Sequence, residues 1–575
     1  MPDSPINPNQ SGKKEWSMET RLVIAFVLMG LVLFVSPYFI KPAPAPKQAN
    51  PPGAAKDHAA QMKSEAVAPK PSASSASAPA VSIPGEIKGQ AEQEFVVDTK
   101  LYHIKFSNKG GVVRSWLLKQ YLDHLGKPLE LVNTSALDKV PAPFSISVKD
   151  DQLATVLNYS LYAAKPTSDG LGIDYEFSDG KNVSRKSFRF ARDSYLAQVT
   201  SEVMQNGSPT SHLIEWRGGF GDSMIVNRLA QQHVVYYDVA PGKLIVKTGK
   251  DAKDGPVTAT GNYSFAGLDD QFFAFVFLPR DNASIEVRTV KDDLTPPGKE
   301  KAETFVGVEV GGDSINRFAL FVGPKDIDLL RKVDPKLQQL IDWGWFGVIA
   351  KPLFLVLHWL NDNFIHNYGW SIVLVTILIN LALLPMRFTS LKSQRKMQGL
   401  QPQIAAINAK YKGISLRDPR KAEQNQEVME LYKKHGVNPM GGCLPMLVQL
   451  PVLYAIYKVL AVTIELRGAH WLWVTDLSQP ETLPIHILPL VMIVSQFIMQ
   501  RMTPNPGMDP NQAKMMMFMP LMFGFFFYSI QSGLVLYWLT GNLVGILQQW
   551  LINRMMPAPA PQPAAPPPKK KKARV

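Results

Sequence analysis

The sequence predicts a polytopic α-helical membrane protein with six spans, five of them closely spaced in one core, together with a β-sandwich domain and a cytosolic helical hairpin. Three observations lead to this prediction. Apolar runs of about the length of a bilayer recur along the 575 residues. A long central segment instead alternates apolar and polar residues in short runs. The formal net charge of +13 is concentrated beside the apolar runs, which bears on topology and on anionic partners.

Six apolar windows are candidate spans, because their lengths approach or meet what a helix needs to cross a bilayer. They are residues 22–40, 370–386, 442–460, 485–500, 515–530 and 534–552. We expect window 22–40 to be a retained anchor, since it is long for a signal and Pro46 follows the nearest small-residue cleavage site. Residues 1–21 would then be cytosolic. The windows at 485–500 and 515–530 are short enough to predict local thinning of the bilayer.

The segment between the anchor and the second span has two different compositions. Residues 41–94 are rich in Pro, Ala, Ser and Lys, which predicts a disordered tether. Residues 95–326 contain short alternating runs, of which 102–106 is typical, divided by turn signals. This pattern predicts one β-sandwich, located outside the inner membrane.

Two amphipathic segments flank the second span. Residues 335–363 carry apolar residues at helical spacing together with Trp343 and Trp345, which favours a helix lying in the membrane interface. Residues 387–437 contain eleven Lys and Arg against four acids, so the positive-inside rule places them in the cytosol. Two apolar stripes there predict a helical hairpin, with a merely solvated basic loop as the alternative. The stripes are Met397, Leu400, Ile404, Ile407 and Tyr411, and Val428, Leu431 and Tyr432.

The remaining segments join the later spans or follow the last one. Residues 465–484 are predicted to lie outside the membrane and residues 501–514 in the cytosol. Residues 553–575 form a Pro- and Ala-rich cytosolic tail that we expect to be disordered. Its basic run is expected to contact ribosomal RNA or anionic lipid, both of which are polyanions. The run consists of Lys569, Lys570, Lys571, Lys572 and Arg574.

Polar side chains recur at one depth in four of the predicted spans. At about 1.5 Å per residue, Asn380 and Gln449 lie level with each other, Thr376 shares the face of Asn380, and Gln496 and Asn542 also fall in the cytosolic half. A polar group at membrane depth needs a partner or a wet cavity. We therefore expect these five side chains to line a hydrophilic groove that is open to the cytosol. Interhelical hydrogen bonds are the alternative for each of them taken singly.

One stretch carries a resemblance to a known family. Asn438-Pro439-Met440-Gly441-Gly442-Cys443-Leu444-Pro445, followed by Gln449-Leu450-Pro451, resembles the signature of the YidC, Oxa and Albino membrane protein insertases. The resemblance covers nearly the whole chain, from the anchor through the β domain to the closely spaced spans. In many members of the family the second span carries an arginine in the groove, and here Asn380 stands at that position. The hypothesis that follows is that hydrophilicity, rather than charge, is what the groove needs.

The resemblance implies a function. It implies a multi-pass inner-membrane protein with cytosolic termini and a periplasmic β domain, which inserts nascent membrane proteins and helps them to fold. Its partners would be nascent membrane proteins, the Sec translocon, the ribosome and the lipid bilayer. The apolar faces of the third and fifth spans would let the substrate helix slide into lipid, aided by eight methionines between Met499 and Met522, for which ordinary core packing is the alternative. The contacting residues would be Leu447, Leu450, Tyr454, Met519, Phe523 and Phe526.

Other classes of function have weaker support in the sequence. It contains no nucleotide-binding loop, metal-ligand spacing or nucleophile motif, so we predict no enzyme, catalytic residue, metal, cofactor or small-molecule substrate. A transporter or channel with a periplasmic sensor domain is the main alternative, although no internal repeat supports it. An anchored sugar-active enzyme is a third. For that alternative His233, Asp269 and Asp270 are candidates, but we favour solvated loop side chains.

Overall fold

The computed structural model describes residues 85–555, with gaps at 124, 223–231, 281–283, 296–299, 412–417, 419, 438–443, 503–519 and 522–523. The anchor 22–40 and the basic tail beyond 555 therefore lie outside the described residues. The chain divides into two compact units, and nearly all the described residues belong to the one formed by Ile83–Gly413 and Gln424–Val575.

The first part of the described chain is a β domain of three antiparallel sheets. The strands are β1 (Glu94–Asp98), β2 (Tyr102–Ser107), β3 (Val112–Leu122), β4 (Pro128–Glu130), β5 (Ser145–Ser147), β6 (Ala163–Pro166), β7 (Gly172–Ser178), β8 (Asn182–Phe190), β9 (Leu196–Gln205), β10 (Ser208–Pro209), β11 (Leu213–Trp216), β12 (His233–Asp238), β13 (Lys243–Lys247), β14 (Val257–Gly261), β15 (Tyr263–Asp269), β16 (Phe273–Pro279), β17 (Ile285–Leu294), β18 (Glu303–Gly311) and β19 (Ile315–Pro324). The orders are β1-β2-β3-β4, β13-β12-β15-β16-β19-β9-β8-β7-β6 with β10 beside β9, and β14-β17-β18-β11-β5.

Aromatic side chains from all three sheets meet in one core. Trp216 of β11 lies 4.4 Å from Phe275 of β16 and 6.3 Å from Trp116 of β3, measured between ring centroids. Phe144, which precedes β5, lies 5.2 Å from Phe188 of β8. Each ring is almost fully buried, and large buried aromatic side chains contribute strongly to stability. The β domain predicted from alternating runs is confirmed.

The β domain begins before the predicted boundary at residue 95. Ile87 forms an antiparallel bridge with Ser178, and the Gly89 N–H donates to the Leu161 carbonyl over 3.0 Å. The end of the predicted tether, residues 85–94, is therefore ordered against the sheets. Composition could not reveal this, because the pairing uses backbone groups that every residue carries.

Ten helices accompany and follow the β domain. They are α1 (Asp151–Tyr159), α2 (Ile327–Val333), α3 (Gly347–Leu360), α4 (Tyr368–Ala382), α5 (Leu384–Gly399), α6 (Gln401–Lys410), α7 (Arg420–Lys434), α8 (Leu444–Val462), α9 (Ile487–Met502) and α10 (Ser532–Met555), and these are counted among the described residues. Short 3₁₀ turns lie at Thr134–Ala136, Pro335–Leu340 and Ile464–Leu466, and a π turn at Asn361–Ile365.

The helix of the predicted second span bends at Leu383. α4 and α5 meet at 57° there, and Pro385 stands in the first turn of α5. Proline lacks the N–H that would continue the ladder of hydrogen bonds from α4, which explains the break. By length and hydropathy this bent pair could span a membrane when taken together, and no single helix of the described chain meets the same criteria.

The predicted interfacial helix over 335–363 is interrupted. The 3₁₀ turn ends at Leu340 and α3 begins at Gly347, so the intervening residues, with Trp343 and Trp345, are not helical. Gly344 adopts φ +66° in this break, a backbone conformation that residues other than glycine rarely adopt. Trp345 is 93% exposed, as an aromatic anchor at an interface would be.

Helices α5, α6 and α7 share a small apolar core. Its buried members include residues of both predicted stripes, and Val428 and Leu431 pack against it. The cluster is Met397, Leu400, Ile404, Tyr432 and Val437. The Tyr411 hydroxyl donates to Glu427 over 2.9 Å, whereas Ile407 is only half-buried and lies outside the cluster.

The β domain is attached to the end of α8 by buried polar contacts. Gln271 Nε2 donates to the Ala461 carbonyl over 2.7 Å. In the turn after α8, Arg467 Nη2 donates to Asp222 Oδ2 and to the Leu122 carbonyl, each over 2.7 Å. The Arg467 and Asp222 side chains are only 8% and 4% exposed. A buried pair of this kind holds its two elements in one relative position.

Candidate functional site

The five side chains predicted to line a groove lie on α10 and on three helices that contact it. Thr376 and Asn380 stand on α4, Gln449 on α8, Gln496 on α9 and Asn542 on α10 itself. Thr376, Asn380 and Asn542 are buried, whereas Gln449 and Gln496 are half-buried. Within the described residues, no hydrogen bond joins two of these five side chains directly. Most of them are instead linked through partners on α9 or α10.

Among the described residues, Asn380 is the one member of the set whose amide oxygen is fully buried and lacks a hydrogen-bond partner. Its Nδ2 donates to the backbone carbonyl of Thr376 over 2.7 Å, one turn earlier on α4. Its Oδ1 has no hydrogen-bond partner within the described residues, although the side chain is only 3% exposed. A buried carbonyl oxygen without a donor costs about 1 to 3 kcal/mol. This position is therefore ready to accept a hydrogen bond from water or from a substrate.

The two glutamines bind aromatic side chains of α10. Gln449 Nε2 donates to the Tyr537 hydroxyl over 3.0 Å. Trp538 Nε1 donates to Gln496 Oε1 over 3.1 Å. Because Tyr537 and Trp538 are adjacent in sequence, they point to different sides of the helix and contact α8 and α9 separately.

A second polar layer lies one to three turns further along α10. Asn542 Nδ2 donates to Ser495 Oγ over 3.0 Å. Gln548 contacts both α4 and α5. Its Oε1 accepts from Arg387 Nη1 over 3.1 Å, and its Nε2 donates to the backbone carbonyl of Asn380 over 3.4 Å. Arg387 thus points into the helices and supplies a cation near Asn380. The hydrogen bonds give α10 a polar face along its length.

Sequence reasoning missed several members of this network. Ser495, Tyr537, Trp538 and Arg387 were not among the side chains predicted to line the groove. Tyrosine and tryptophan in an apolar run look like ordinary membrane anchors, so their polar atoms gave no signal. Trp538, Asn542 and Gln549 are separated by four and then seven residues, and this helical spacing was the available clue that α10 has a polar stripe.

The apolar residues predicted to contact the substrate helix, here called the apolar slide, can be located only in part. Leu447 is 45% exposed, and Leu450 and Tyr454 are half-buried on the same helix. The Tyr454 ring lies 5.6 Å from Phe346. Phe526 is half-buried, whereas Met519 and Phe523 lie outside the described residues, as do the basic residues Lys569, Lys570, Lys571, Lys572 and Arg574.

The described chain combines a β domain with helices that are linked through polar side chains. Two family models divide this chain in the same way. The YidC periplasmic domain matches residues 94–356, and the 60Kd inner membrane protein matches residues 359–559. The chain is therefore an inner-membrane protein with a periplasmic β domain.

Similar proteins extend across almost the whole chain. A membrane protein insertase YidC of Geotalea daltonii is 34% identical over 569 residues, which cover 94% of this chain and all of the relative. One of Citrifermentans bemidjiense is 34% identical over 575 residues, covering 93% and 99%. The crystal structure of an active YidC insertase with its first transmembrane domain resolved gives a TM-score of 0.35 at 20% identity, covering 81% and 94%. On the evidence of the sequence relatives, this chain belongs to the YidC family of membrane protein insertases.

Proposed function

We propose that this protein, a membrane protein insertase, moves nascent inner-membrane proteins into the bilayer through a hydrophilic groove formed by α4, α8, α9 and α10 and open to the cytosol. A polar segment of the substrate crosses while its apolar helix enters lipid. Polar groups along the groove replace the water that the segment loses, and this lowers the cost of its transfer. No bond is made or broken in the substrate, so the protein acts without a catalytic residue.

The unsatisfied Asn380 oxygen carries this proposal. A fully buried amide oxygen is expected to accept a hydrogen bond. Asn380 Oδ1 has none among the described residues, and its neighbour Gln548 brings the Arg387 guanidinium close by. This supports a site that accepts donors from a passing segment.

The proposed topology is multi-pass, with six spans and both termini in the cytosol. Residues 387–437 form the cytosolic hairpin, and residues 465–484 form a periplasmic loop. Exposed apolar side chains support contact with lipid: Val494 of α9 and Leu547 of α10 are 59% and 55% exposed. Such exposure is costly in water and favourable in a bilayer.

The substrate helix leaves the groove along an apolar slide. Leu447, Leu450 and Tyr454 of α8, together with Met519, Phe523 and Phe526, are proposed to contact it. The Sec translocon and the ribosome are proposed partners, and the basic tail Lys569, Lys570, Lys571, Lys572 and Arg574 is proposed to contact ribosomal RNA or anionic lipid. Net positive charge supports either polyanion, because phosphate attraction does not depend on sequence.

Substitutions at Asn380 test the groove. Asn380→Leu is expected to slow insertion of a two-span test protein about tenfold or more, since it removes a polar group from the path. Asn380→Arg should remain active, because hydrophilicity is retained. Leu381→Ala, on an exposed face of the same helix, is the control. Insertion would be scored by protease protection, and undiminished protection with Asn380→Leu would contradict the proposal.

A further inference from the structure

A cleft in the β domain is separate from the groove. It has a volume of about 620 Å³ and lies between α1, the loop 137–142, β5 and the inner strands β11 and β18. Pockets of about 300 to 1,000 Å³ are the size that small ligands occupy. The insertion mechanism uses none of its residues.

The floor of the cleft contains a buried carboxyl group without a partner. Glu215 of β11 lines the cleft and is 4% exposed. Its cross-strand neighbour Glu309 is well satisfied, since Glu309 Oε2 accepts from Ser147 Oγ and from Arg288 Nη1, each over 2.9 Å. The Glu215 carboxylate makes no hydrogen bond or ion pair in the described part of the chain. A buried polar group in this state needs an explanation, and a ligand that fills the cleft supplies one.

The electrostatics of the floor favour a protonated Glu215. Burial, together with the charge of the neighbouring Glu309, raises the pKa of its carboxyl to about 8, although the Arg217 charge opposes the rise. Near neutral pH the carboxyl therefore offers both a hydrogen-bond donor and acceptors. Hydroxyl groups complement such a pair, because a hydroxyl also donates and accepts.

The charges lining the cleft are balanced. The acids are Asp138, Asp151, Glu215 and Glu309, and the bases are Lys109, Arg114, Lys139 and Arg217. With Glu215 protonated, three charged acids face four bases, so the lining carries little net charge and provides many hydrogen-bonding groups for a neutral polar molecule.

An extended peptide is disfavoured because the edge of the sheet is already occupied. β5 is the edge strand of its sheet. The Asn158 side chain of α1 accepts from the Ile146 N–H and donates to the Ile146 carbonyl, both over 2.8 Å. These are the backbone groups that an added strand would use.

We propose that this cleft binds a neutral, polyhydroxylated ligand of mono- to disaccharide size, with the Glu215 carboxyl hydrogen bonded to a ligand hydroxyl at its floor. The charged groups around Glu215 contact the remaining hydroxyls. The site is a binding site in the periplasm and is independent of the insertion groove, so the loss of either function leaves the other intact.

Binding of simple sugars to the full-length protein tests the proposal. The protein would be held in lipid nanodiscs free of glycoside detergents, which would themselves compete for the cleft. Glucose, maltose and N-acetylglucosamine would be titrated and followed by saturation-transfer NMR. The variants are Glu215→Leu and Glu215→Gln, with Glu202→Leu on β9 as a carboxylate control outside the cleft.

The two Glu215 variants separate a neutral ligand from a cation. At least one sugar should bind the wild type, about tenfold more weakly to Glu215→Leu and within about threefold to Glu215→Gln, whose amide also donates and accepts. The Glu202 variant should bind normally. The proposal is overturned if no sugar binds the wild type, if Glu215→Leu binds as well as the wild type, or if Glu215→Gln fails like Glu215→Leu while spermidine binds the wild type.

Discussion

Asn380 and Glu215 are buried polar side chains whose hydrogen bonding is left incomplete by the described residues. Asn380 Oδ1 lies among helices, and the Glu215 carboxyl lies at the floor of the periplasmic cleft. A folded protein gains nothing in stability from such groups, since each costs free energy until it is bonded. Both therefore indicate places where something other than the chain completes the hydrogen bonding.

The pH dependence of stability should report the burial of Glu215. Burial raises the pKa of this carboxyl from its ordinary 4.5 to about 8. Between these values the native state holds a proton that the unfolded chain has lost, so the free energy of unfolding falls as pH rises. Glu215→Gln cannot ionise and should gain stability relative to the wild type across this window, by at most about 5 kcal/mol. Parallel melting-temperature profiles of the two full-length proteins from pH 4.5 to 8 would contradict this.

The sequence singled out polar residues of the helices more readily than it revealed their contacts. Asn380, Gln449 and Asn542 could be found because a polar side chain is rare in an apolar window. The partners Tyr537 and Ser495 could not, because their bonds depend on how α8 and α9 are rotated against α10. Glu215 was also missed, since a single glutamate in an alternating strand usually faces water.

Two kinds of contact hold the secondary-structure elements together, buried polar contacts and apolar packing. The turn after α8 carries Arg467, whose guanidinium lies 5.5 Å from the Phe273 ring and pairs with Asp222 of the β domain. The helices α5 to α7 are held instead by apolar packing around Ile404. The two attachments should respond differently to substitution.

The Arg467 attachment predicts a large loss of stability. Arg467→Ala leaves the buried Asp222 without this cation, which is expected to lower the free energy of unfolding by about 3 to 5 kcal/mol. The matched control is Lys100→Ala, since the Lys100–Asp193 pair is 75% and 63% exposed and should matter by less than about 0.5 kcal/mol. Thermal unfolding of the full-length protein measures both, and equal shifts would show that the Arg467 pair does not join the elements.

The apolar core of α5, α6 and α7 predicts protection from trypsin. Ile404→Ala should destabilise this region by about 2 to 5 kcal/mol and speed cleavage at its many Lys and Arg residues. Ile407→Ala, one turn away and outside the cluster, should have a clearly smaller effect. Cleavage at the same rate in both variants would indicate a solvated loop rather than packed helices.

At the level of elements, patterns with a clear period were predictable. Alternation at residues 102–106 predicted β2, and the stripes through Ile404 and Tyr432 predicted residues that pack together. The bend at Leu383 was not predicted, although Pro385 was visible, because proline in the first turn of a helix is also compatible with a separate straight helix. The break between Leu340 and Gly347 was hidden by apolar residues that continue the helical spacing across it.

The whole molecule combines a periplasmic β domain with helices whose polar side chains face α10. Its membership in the YidC family makes it a membrane protein insertase. We propose in addition that the hydrophilic groove is sufficient for insertion of a short substrate and that charge at Asn380 is unnecessary. The family resemblance read from residues 438–451 indicated the function, whereas the hydrogen-bond network around α10 required the structure.

Insertion into liposomes that contain only this purified protein tests the central claim most directly. A short two-span substrate would be added, and its protection from external protease would be compared with protection in empty liposomes. We expect protection that depends on the protein and is strongly reduced by Asn380→Leu. Substrate that stays fully digested, although the protein is shown to be folded, would contradict the claim that the groove alone is sufficient.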